Sequence, residues 1–311
     1  MMRLMSLGLP RWFRRTLLGL ALFLFVAALA AGGAWIYLHP APVRTDGVVY
    51  GKRNGRELTM DVIRPTQSNG RGIAFLISGG WKSKNAGSIP ASTVAVFLRA
   101  GYTVFAVCHI SQPESTVMEI VDDMNRGIRF IRYHAKEYAI DPNRIGVVGG
   151  SAGGHLSLML ATRGGPGQPS APDPIDRQSS AVQAVAIFFP VTDLLNLGPS
   201  TENPGDGGPP ISYRRAFGPD SMNMPIWKQI GRDMSPIYFV HTGMPPILIH
   251  HGDADTLVPL EQSERFRARA AELGIDVPVL VHPGGKHGWP TMLFDQFQFV
   301  EWFNRHLQPE R

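Results

Sequence analysis

A serine flanked by glycines stands between an apolar run and an amphipathic segment. Gly149, Ser151 and Gly153 fit the pattern G-x-S-x-G, in which the serine occupies a sharp turn from a strand into a helix. Such a turn strains the serine backbone, and side chains two residues away would collide, so glycines are needed there. The pattern predicts Ser151 as a nucleophile. A dinucleotide loop is excluded, because its glycines at i, i+2 and i+5 are missing.

A serine hydroxyl is a weak nucleophile unless a base takes its proton, and a histidine base needs a partner that fixes its tautomer. Three histidines follow the last predicted strand that is directly followed by acidic residues. His282 lies in a predicted strand and His306 near the end of the C-terminal helix, whereas His287 lies in a glycine-rich loop between them. A loop side chain at a strand end can reach the serine, so His287 is the predicted base.

Two carboxylates, Asp253 and Asp255, directly follow an apolar strand, at the sheet edge where α/β proteins keep their sites. One of them is expected to orient the base, and the residues alone do not separate the two. A metal centre made of His250, His251 and these aspartates is not expected, because adjacent histidines on a strand point to opposite faces. We therefore predict no metal and no organic cofactor.

Acyl transfer also needs backbone amides that bind the developing oxyanion. One such amide belongs to Ala152, which follows the predicted nucleophile. The others are expected from Gly79 and Gly80, which directly follow an early strand and whose glycines let the backbone approach a substrate. The alternative is that this glycine pair forms a plain turn.

Short apolar runs alternate with amphipathic stretches from Asp46 onward, without an internal repeat, which predicts an α/β fold with a mostly parallel twisted sheet flanked by helices. The predicted strands are 58–63, 72–78, 102–110, 145–149, 182–189, 246–251 and 277–282. The predicted helices are 91–100, 117–131, 152–161, 260–273 and 291–306.

Two stretches rich in glycine and proline, 163–177 and 198–235, interrupt this alternation. Loops of such length are usually functional or mobile, so the second stretch is a candidate flap over the substrate. Tyr213 and Phe217 within it, together with Trp81 beside the glycine pair, are the predicted substrate contacts. The alternative is a packed structural insertion.

The N-terminal residues indicate export. Thr16 to Leu38 is a run of 23 uncharged, mostly apolar residues, long enough to cross a bilayer as a helix. The arginines before this run predict an N-terminus in the cytoplasm and a body on the other side of the inner membrane. Alternatively, cleavage after Ala30 would release a secreted or periplasmic protein. We thus divide the chain into an anchor or signal segment with a short spacer, 1–45, and a catalytic domain, 46–311.

Net charge excludes a nucleic-acid-binding face. The 311 residues carry 30 basic and 25 acidic side chains, and four of the basic ones are Arg3, Arg11, Arg14 and Arg15. The rest of the chain is therefore nearly neutral, with no excess of cations to bind a polyanion. The single cysteine, Cys108, cannot form an intrachain disulfide.

The order serine, acid, histidine, each after a strand, resembles the α/β-hydrolase fold family. Within it, the chain is similar to the esterase and lipase branch that contains the bifunctional feruloyl and acetyl-xylan esterases and the hormone-sensitive-lipase-like carboxylesterases. The residues that carry this resemblance are 141–145, 150–155, 235–236, 251–259 and 285–288. The resemblance implies Ser151 as nucleophile, His287 as base and Asp255 as acid.

One segment departs from this family. Relatives carry His-Gly-Gly-Gly and an aromatic residue where this chain has Ile77-Ser78-Gly79-Gly80-Trp81. The histidine and one glycine of the family motif are absent, so the usual anchoring of this loop and any substrate inference from the motif do not carry over, although the amides of Gly79 and Gly80 can still serve.

Together these features predict a serine-dependent carboxylic-ester hydrolase that acts through an acyl-enzyme on a small-molecule or polysaccharide-linked ester. One alternative is a serine peptidase of the prolyl-oligopeptidase type, which would need a propeller domain where this chain has only its export segment. Another is a membrane-tethered binding protein without catalysis, for which the altered glycine loop is the support.

Overall fold

The structure, a computed structural model, describes residues 11–308. Eight strands form one sheet, and their bounds are β1 Val43–Arg53, β2 Arg56–Arg64, β3 Gly72–Leu76, β4 Thr103–Val107, β5 Ile145–Gly150, β6 Ala184–Phe188, β7 Ile247–Gly252 and β8 Val279–His282. Their spatial order is β1-β2-β4-β3-β5-β6-β7-β8. The pairs β1–β2 and β2–β4 are antiparallel, and every later pair is parallel.

Helices cover both faces of this sheet. The helices of the described residues are α1 Arg11–Leu38, which does not pack on the sheet, α2 Ala95–Arg99, α3 Val117–Tyr133, α4 Ala152–Arg163, α5 Met224–Asp233, α6 Glu261–Ala271 and α7 Met292–His306. Side chains of α3, α4 and α6 form one large core cluster, and those of α2 and α7 form a second cluster. The predicted α/β architecture is confirmed.

Helix α3 illustrates how the sequence encodes these elements. Thr116 precedes it, accepts a hydrogen bond from the amide of Glu119 at 3.3 Å, and donates its own amide to the Glu119 carboxylate at 2.7 Å. This capping box satisfies two amides at the start of the helix. The stripe that includes Ile120, Met124 and Ile128 is fully buried against the sheet.

Strand β1 was not predicted, and the predicted domain boundary at Asp46 falls inside it. The strand lies at the sheet edge and consists mostly of charged, polar and glycine residues, so it lacks the apolar run typical of the central strands. Arg44 near its start forms an ion pair with the fully buried Asp61 of β2, with 2.9 Å between Nη2 and Oδ2. The first strand of the sheet therefore begins at Val43, three residues before the predicted boundary.

Helix α1 is long and apolar enough to cross a membrane. Its segment Arg15–Leu38 has a mean hydropathy of 2.3, and none of it is buried against the rest of the protein. At its end, the Arg99 guanidinium donates hydrogen bonds to the carbonyls of Ile36 and Tyr37. Of the arginines that predicted its orientation, Arg3 lies outside the described residues.

Candidate active site

Ser151, His287 and Asp255 lie together at the carboxyl ends of β5, β7 and β8. The Oγ of Ser151 is 2.9 Å from Nε2 of His287, and Nδ1 of the same ring is 2.7 Å from Oδ2 of Asp255. A proton can thus pass from the serine to an imidazole whose other nitrogen is held by a carboxylate. This geometry is that of a catalytic triad.

The turn that carries Ser151 is strained and tightly packed. Ser151 has a φ of 55°, a left-handed conformation that serine rarely adopts. A Cβ on Gly149 would lie 2.4 Å from the Gly153 carbonyl oxygen, and a Cβ on Gly153 would lie 2.7 Å from the Leu76 carbonyl oxygen. Any side chain at these two positions would push the serine away from the sheet edge.

Asp255 is buried and heavily hydrogen-bonded. Its Oδ1 accepts the amides of Leu257 and Val258, each at 3.0 Å. Burial raises the pKa of the Asp255 carboxyl, but the imidazoles of His251 and His287 and the Val258 amide outweigh burial and hold this pKa well below its ordinary value. Asp255 is therefore ionised at neutral pH and can stabilise an imidazolium on His287.

Asp253 has a different environment from Asp255. Its side chain is exposed, and its Oδ1 accepts the amide of Gly284 at 2.7 Å. This bond ties the end of β7 to the loop that carries His287, so Asp253 supports that loop without contacting the histidine. Geometry thus separates two carboxylates that the residues alone left equivalent.

The predicted oxyanion loop is a tight turn whose first amide is already used. The amide of Gly79 donates to the Lys82 carbonyl at 2.9 Å, and the Lys82 amide returns a bond to the Gly79 carbonyl at 3.0 Å. The prediction that the Gly79 amide binds an oxyanion therefore needs correction. Gly80 and Trp81, at the two central positions, have φ values of 56° and 54°, and no described residue accepts a hydrogen bond from their amides.

The amide of Ala152 is also available, because Ala152 is the first residue of α4 and has no acceptor within the helix. Gly80, Trp81 and Ala152 all line the same cavity as Ser151. Their amides are the donors that this structure offers to an oxyanion. Trp81, predicted as a substrate contact, thus also belongs to the oxyanion turn.

The cavity beside Ser151 is small and largely apolar, with a volume of about 40 Å³. Tyr213 lines it and covers the Cα of Gly80, and its contact with substrate stays a prediction. Phe217 does not line it: this side chain is fully buried behind Trp81, so the prediction that it contacts substrate needs correction. The remaining lining residues are Val191, Leu194, Leu197, Ser200, Glu202, Pro210, Leu257, Val258, Pro259 and Gln262.

The segment 198–235 is therefore partly a packed insertion and partly a wall of the cavity. Trp227, on α5, is fully buried and stacks edge-on against Phe217. These two rings support Trp81 and Tyr213 from behind. The buried rings agree with a packed structural insertion, whereas a flap over the substrate stays a prediction.

A profile of the family described as BD-FAE matches residues 60–270, about two thirds of the chain, including Ser151 and Asp255. The chain belongs to the BD-FAE family. The predicted resemblance to this branch of the α/β-hydrolases is confirmed, although His287 lies beyond the matched residues.

Among curated relatives of this BD-FAE member, esterase LipQ of Mycobacterium tuberculosis is 28% identical over 235 residues, which are 74% of the chain and 53% of LipQ. The isoprenylcysteine alpha-carbonyl methylesterase ICME of Arabidopsis thaliana is 24% identical over 268 residues, covering 82% of the chain and 58% of the relative. The chain thus spans somewhat more than half the length of these relatives.

Solved structures confirm the predicted α/β-hydrolase fold. A truncated carbohydrate esterase from gut microbiota is 26% identical, with a TM-score of 0.72 and coverage of 86% of this chain and 99% of that one. Thermogutta terrifontis esterase 2 is similar in fold, with a TM-score of 0.64, 24% identity and coverage of 88% and 98%. The names of all four proteins are those of ester hydrolases, in agreement with the predicted enzyme class.

In this BD-FAE member, other side chains hold the oxyanion turn where the usual histidine is missing. His109 Nε2 lies 2.9 Å from the Ser78 hydroxyl, and burial lowers the pKa of His109 to about 4. In addition, the backbone amide of Gln112 donates to the Trp81 carbonyl at 2.9 Å. From the nucleophile side, the Gly153 amide donates to the Ser78 carbonyl at 3.0 Å.

His155 is a positioning residue to which the sequence analysis assigned no role. Its Nδ1 accepts the indole N–H of Trp81 at 3.2 Å, and its Nε2 donates to the Met234 carbonyl at 2.7 Å. Burial lowers the pKa of His155 to about 4, so the ring stays neutral and keeps this acceptor. Its place four residues after Ser151 was the available signal, but the contact with Trp81 depends on the fold.

Proposed function

We propose that this protein is a serine-dependent carboxylic-ester hydrolase with Ser151 as nucleophile, His287 as general base and acid, and Asp255 as the orienting carboxylate. The observation that carries the proposal is the pair of hydrogen bonds from Asp255 through His287 to Ser151, beside a cavity with free amides. Membership of the BD-FAE family and the esterase names of the relatives support it.

In the first half of the proposed reaction, Ser151 Oγ attacks the acyl carbon while its proton moves to His287 Nε2. The carbonyl oxygen becomes an oxyanion that accepts hydrogen bonds from the amides of Ala152 and of Gly80 or Trp81. The ester bond then breaks, and His287 returns the proton to the leaving alcohol. The product is an acyl group esterified to Ser151.

In the second half, water replaces the alcohol. His287 takes a proton from the water, whose oxygen attacks the acyl carbon, and the ester bond to Ser151 breaks. The proton passes from His287 to Ser151 Oγ, which frees the carboxylic acid. Asp255 stays ionised throughout and stabilises the imidazolium in each half.

The cavity favours a short acyl group. A volume of about 40 Å³ accommodates only a few atoms, and most of its lining is apolar. We therefore expect acetyl and propionyl esters to be better substrates than esters of long acyl chains. Together with the similarity to a carbohydrate esterase, this supports small-molecule or polysaccharide-linked short-chain esters as substrates.

For location, we infer that α1 anchors the protein in the inner membrane with the catalytic domain outside the cytoplasm. The length and hydropathy of α1 support this arrangement. A C-terminal alkaline phosphatase fusion would then be active and a C-terminal green fluorescent protein fusion dark. The mass of the mature chain distinguishes an intact anchor from cleavage after Ala30, and a full-length chain recovered in the cytoplasmic fraction would exclude both forms of export.

The reaction is tested with the full chain in detergent and a series of p-nitrophenyl esters from acetate to decanoate, with methyl ferulate as an aryl ester. We expect kcat/KM to be highest for the shortest acyl groups and to vanish in Ser151→Ala. Ser157→Ala is the matched control, since Ser157 lies on the same helix and bonds only to the Gly153 carbonyl. A folded protein that hydrolyses no ester, or whose activity survives Ser151→Ala, would overturn the proposal.

A further inference from the structure

A second cluster of ionisable side chains lies on the face of the sheet that α7 covers. It consists of His250 on β7, His282 at the end of β8 and Asp295 in the first turn of α7, and one side-chain donor atom from each lies within 4.8 Å of the other two. His250 is fully buried among the side chains of α7, while the neighbouring His251 points to the other face, toward Ser263. The cluster is therefore separate from the proposed catalytic residues.

The three donor atoms converge in the way metal ligands do. His250 Nδ1 is 3.0 Å from His282 Nε2, which in turn is 3.8 Å from Asp295 Oδ2. Ligands bound to one zinc ion at about 2.0–2.1 Å in tetrahedral geometry lie roughly 3.3 Å apart. Small side-chain shifts would thus bring all three atoms to bonding distance of a shared ion.

The charge balance of the cluster also calls for a cation. Asp295 is 7% exposed, and no lysine or arginine among the described residues lies within 4.0 Å of its carboxylate. Its partners are the indole N–H of Trp289 and, more distantly, His282. A buried carboxylate is normally paired with a positive charge, because leaving it unpaired in a low-dielectric interior is costly.

We propose that His250, His282 and Asp295 form a binding site for a divalent transition-metal ion of the zinc class. Two imidazoles and one carboxylate favour Zn²⁺ or Co²⁺ over Mg²⁺ and Ca²⁺, which prefer oxygen ligands. Three protein ligands leave a fourth position for water. His282 is the most exposed member of the cluster, with 21% of its side chain accessible, so an ion would enter from its side.

A metal ion bound at this site would have a structural role. The three ligands would join β7 and the end of β8 to the start of α7. The loop 283–291, which connects β8 to α7, carries His287. Trp289 of this loop stacks on His282 with 4.1 Å between ring centroids and also contacts Phe189, which packs on His287. A bound ion would therefore stiffen the loop that positions the proposed base.

The test uses full-chain Ser151→Ala protein in detergent, stripped with a chelator and titrated with Co²⁺. We expect one ion per chain with the visible absorption of tetrahedral cobalt, displaced by Zn²⁺, and a rise in unfolding temperature with Zn²⁺. His282→Ala and Asp295→Asn should each weaken binding by at least roughly tenfold. His134→Ala, which removes an exposed histidine 2.9 Å from Glu137, is the matched control and should leave binding unchanged.

Three results would overturn the proposal. The first is the absence of a cobalt signal in a chain that is folded by circular dichroism. The second is a signal that survives both His282→Ala and Asp295→Asn. The third is a signal lost in His287→Ala but kept in His282→Ala, which would assign the ion to the proposed triad. None of these readouts requires ester hydrolysis, so the metal site and the proposed activity stand or fall separately.

Discussion

Gly80 and Trp81 both adopt left-handed backbone conformations in the turn that faces Ser151. Glycine adopts this conformation without strain, whereas a bulky aromatic residue does so only when its surroundings enforce it. Trp81 is enforced by the indole bond to His155 and by packing against Tyr213 and Phe217. These contacts thus maintain the strained conformation of a turn whose residues line the cavity.

The two glycines of this turn should respond differently to alanine. A Cβ on Gly80 would lie 2.7 Å from the Tyr213 ring, whereas a Cβ on Gly79 would meet nothing within 4 Å. We expect Gly80→Ala to lower kcat by roughly 10²-fold, because the added Cβ and the left-handed backbone displace the amide proposed to bind the oxyanion. Gly79→Ala, whose amide bonds to Lys82, should retain activity within about threefold. Equal losses in steady-state hydrolysis of p-nitrophenyl acetate would contradict this assignment.

The two aspartates provide a second matched pair. Asp255→Asn keeps the shape of the side chain but removes the charge that fixes the tautomer of His287, so we expect kcat to fall by about 10⁴-fold with little change in KM. Asp253→Asn keeps an acceptor for the Gly284 amide and should change kcat less than about threefold. A larger loss in Asp253→Asn than in Asp255→Asn would reverse the two roles.

The Asp255 carboxylate should also make the free energy of unfolding depend on pH in the acidic range. Its pKa is lowered in the folded protein relative to the unfolded chain, so its contribution is complete above the unfolded value of about 4 and is lost as the pH falls below it. We therefore expect the stability difference between wild type and Asp255→Asn to be constant from pH 7 to pH 5 and to shrink toward pH 3. Urea unfolding at each pH measures it, and a difference that grows on acidification would show the opposite shift.

Sequence reasoning singled out Ser151 and His287, which lie 2.9 Å apart in the structure, because each is marked by its local context. Ser151 lies within a glycine pattern that only a strained turn requires, and His287 lies in a loop directly after a strand. It could not separate Asp253 from Asp255, since both follow the same strand and their partners come from residues about thirty positions away. Nor could it show that the Gly79 amide is used, because that depends on the closing bond to Lys82.

At the scale of elements, the turn between β5 and α4 depends on close backbone contacts. Gly149 lies where a Cβ would overlap the Gly153 carbonyl, while a Cβ on the adjacent Gly150 would make ordinary contact with Phe189 at 3.4 Å. We expect Gly149→Ala to destabilise the fold by about 1–3 kcal/mol and to reduce activity. Gly150→Ala should change the free energy of unfolding by less than about 0.5 kcal/mol. Chemical unfolding of both variants measures these changes. A larger loss of stability in Gly150→Ala than in Gly149→Ala would contradict this assignment.

The central elements were predictable and the edges were not. Strands such as β5 and β6 are buried on both faces and read as apolar runs, and the helix α3 has a clear stripe and a capping box. Strand β1 pairs on one side only, so half of its residues face water and its pattern is weak. The helix α5 was missed for a related reason: it lies within a glycine-rich and proline-rich insertion whose packing rests mainly on Trp227.

At the scale of the whole molecule, the start of β1 decides where the body can be cut. A body that begins at Val43 keeps the ion pair between Arg44 and the buried Asp61, whereas one that begins at Asp46 loses it. We expect the shorter body to be less stable by roughly 3 kcal/mol, because the Asp61 charge stays buried without its partner. Thermal unfolding and size-exclusion chromatography compare the two. Arg44→Ala in the longer body isolates the ion pair, and a stable, monomeric shorter body would refute this account.

The connection between the apolar helix and the sheet is very short. Helix α1 ends at Leu38 and β1 begins at Val43, and two of the four residues between them, Pro40 and Pro42, are prolines. Even fully extended, such a tether spans at most about 18 Å. An anchored molecule would therefore work within a thin layer along the bilayer surface and could not sweep through the surrounding space. Esters on distant polymers would reach it only after release of soluble fragments, whereas a chain cleaved after Ala30 would be free to travel to them.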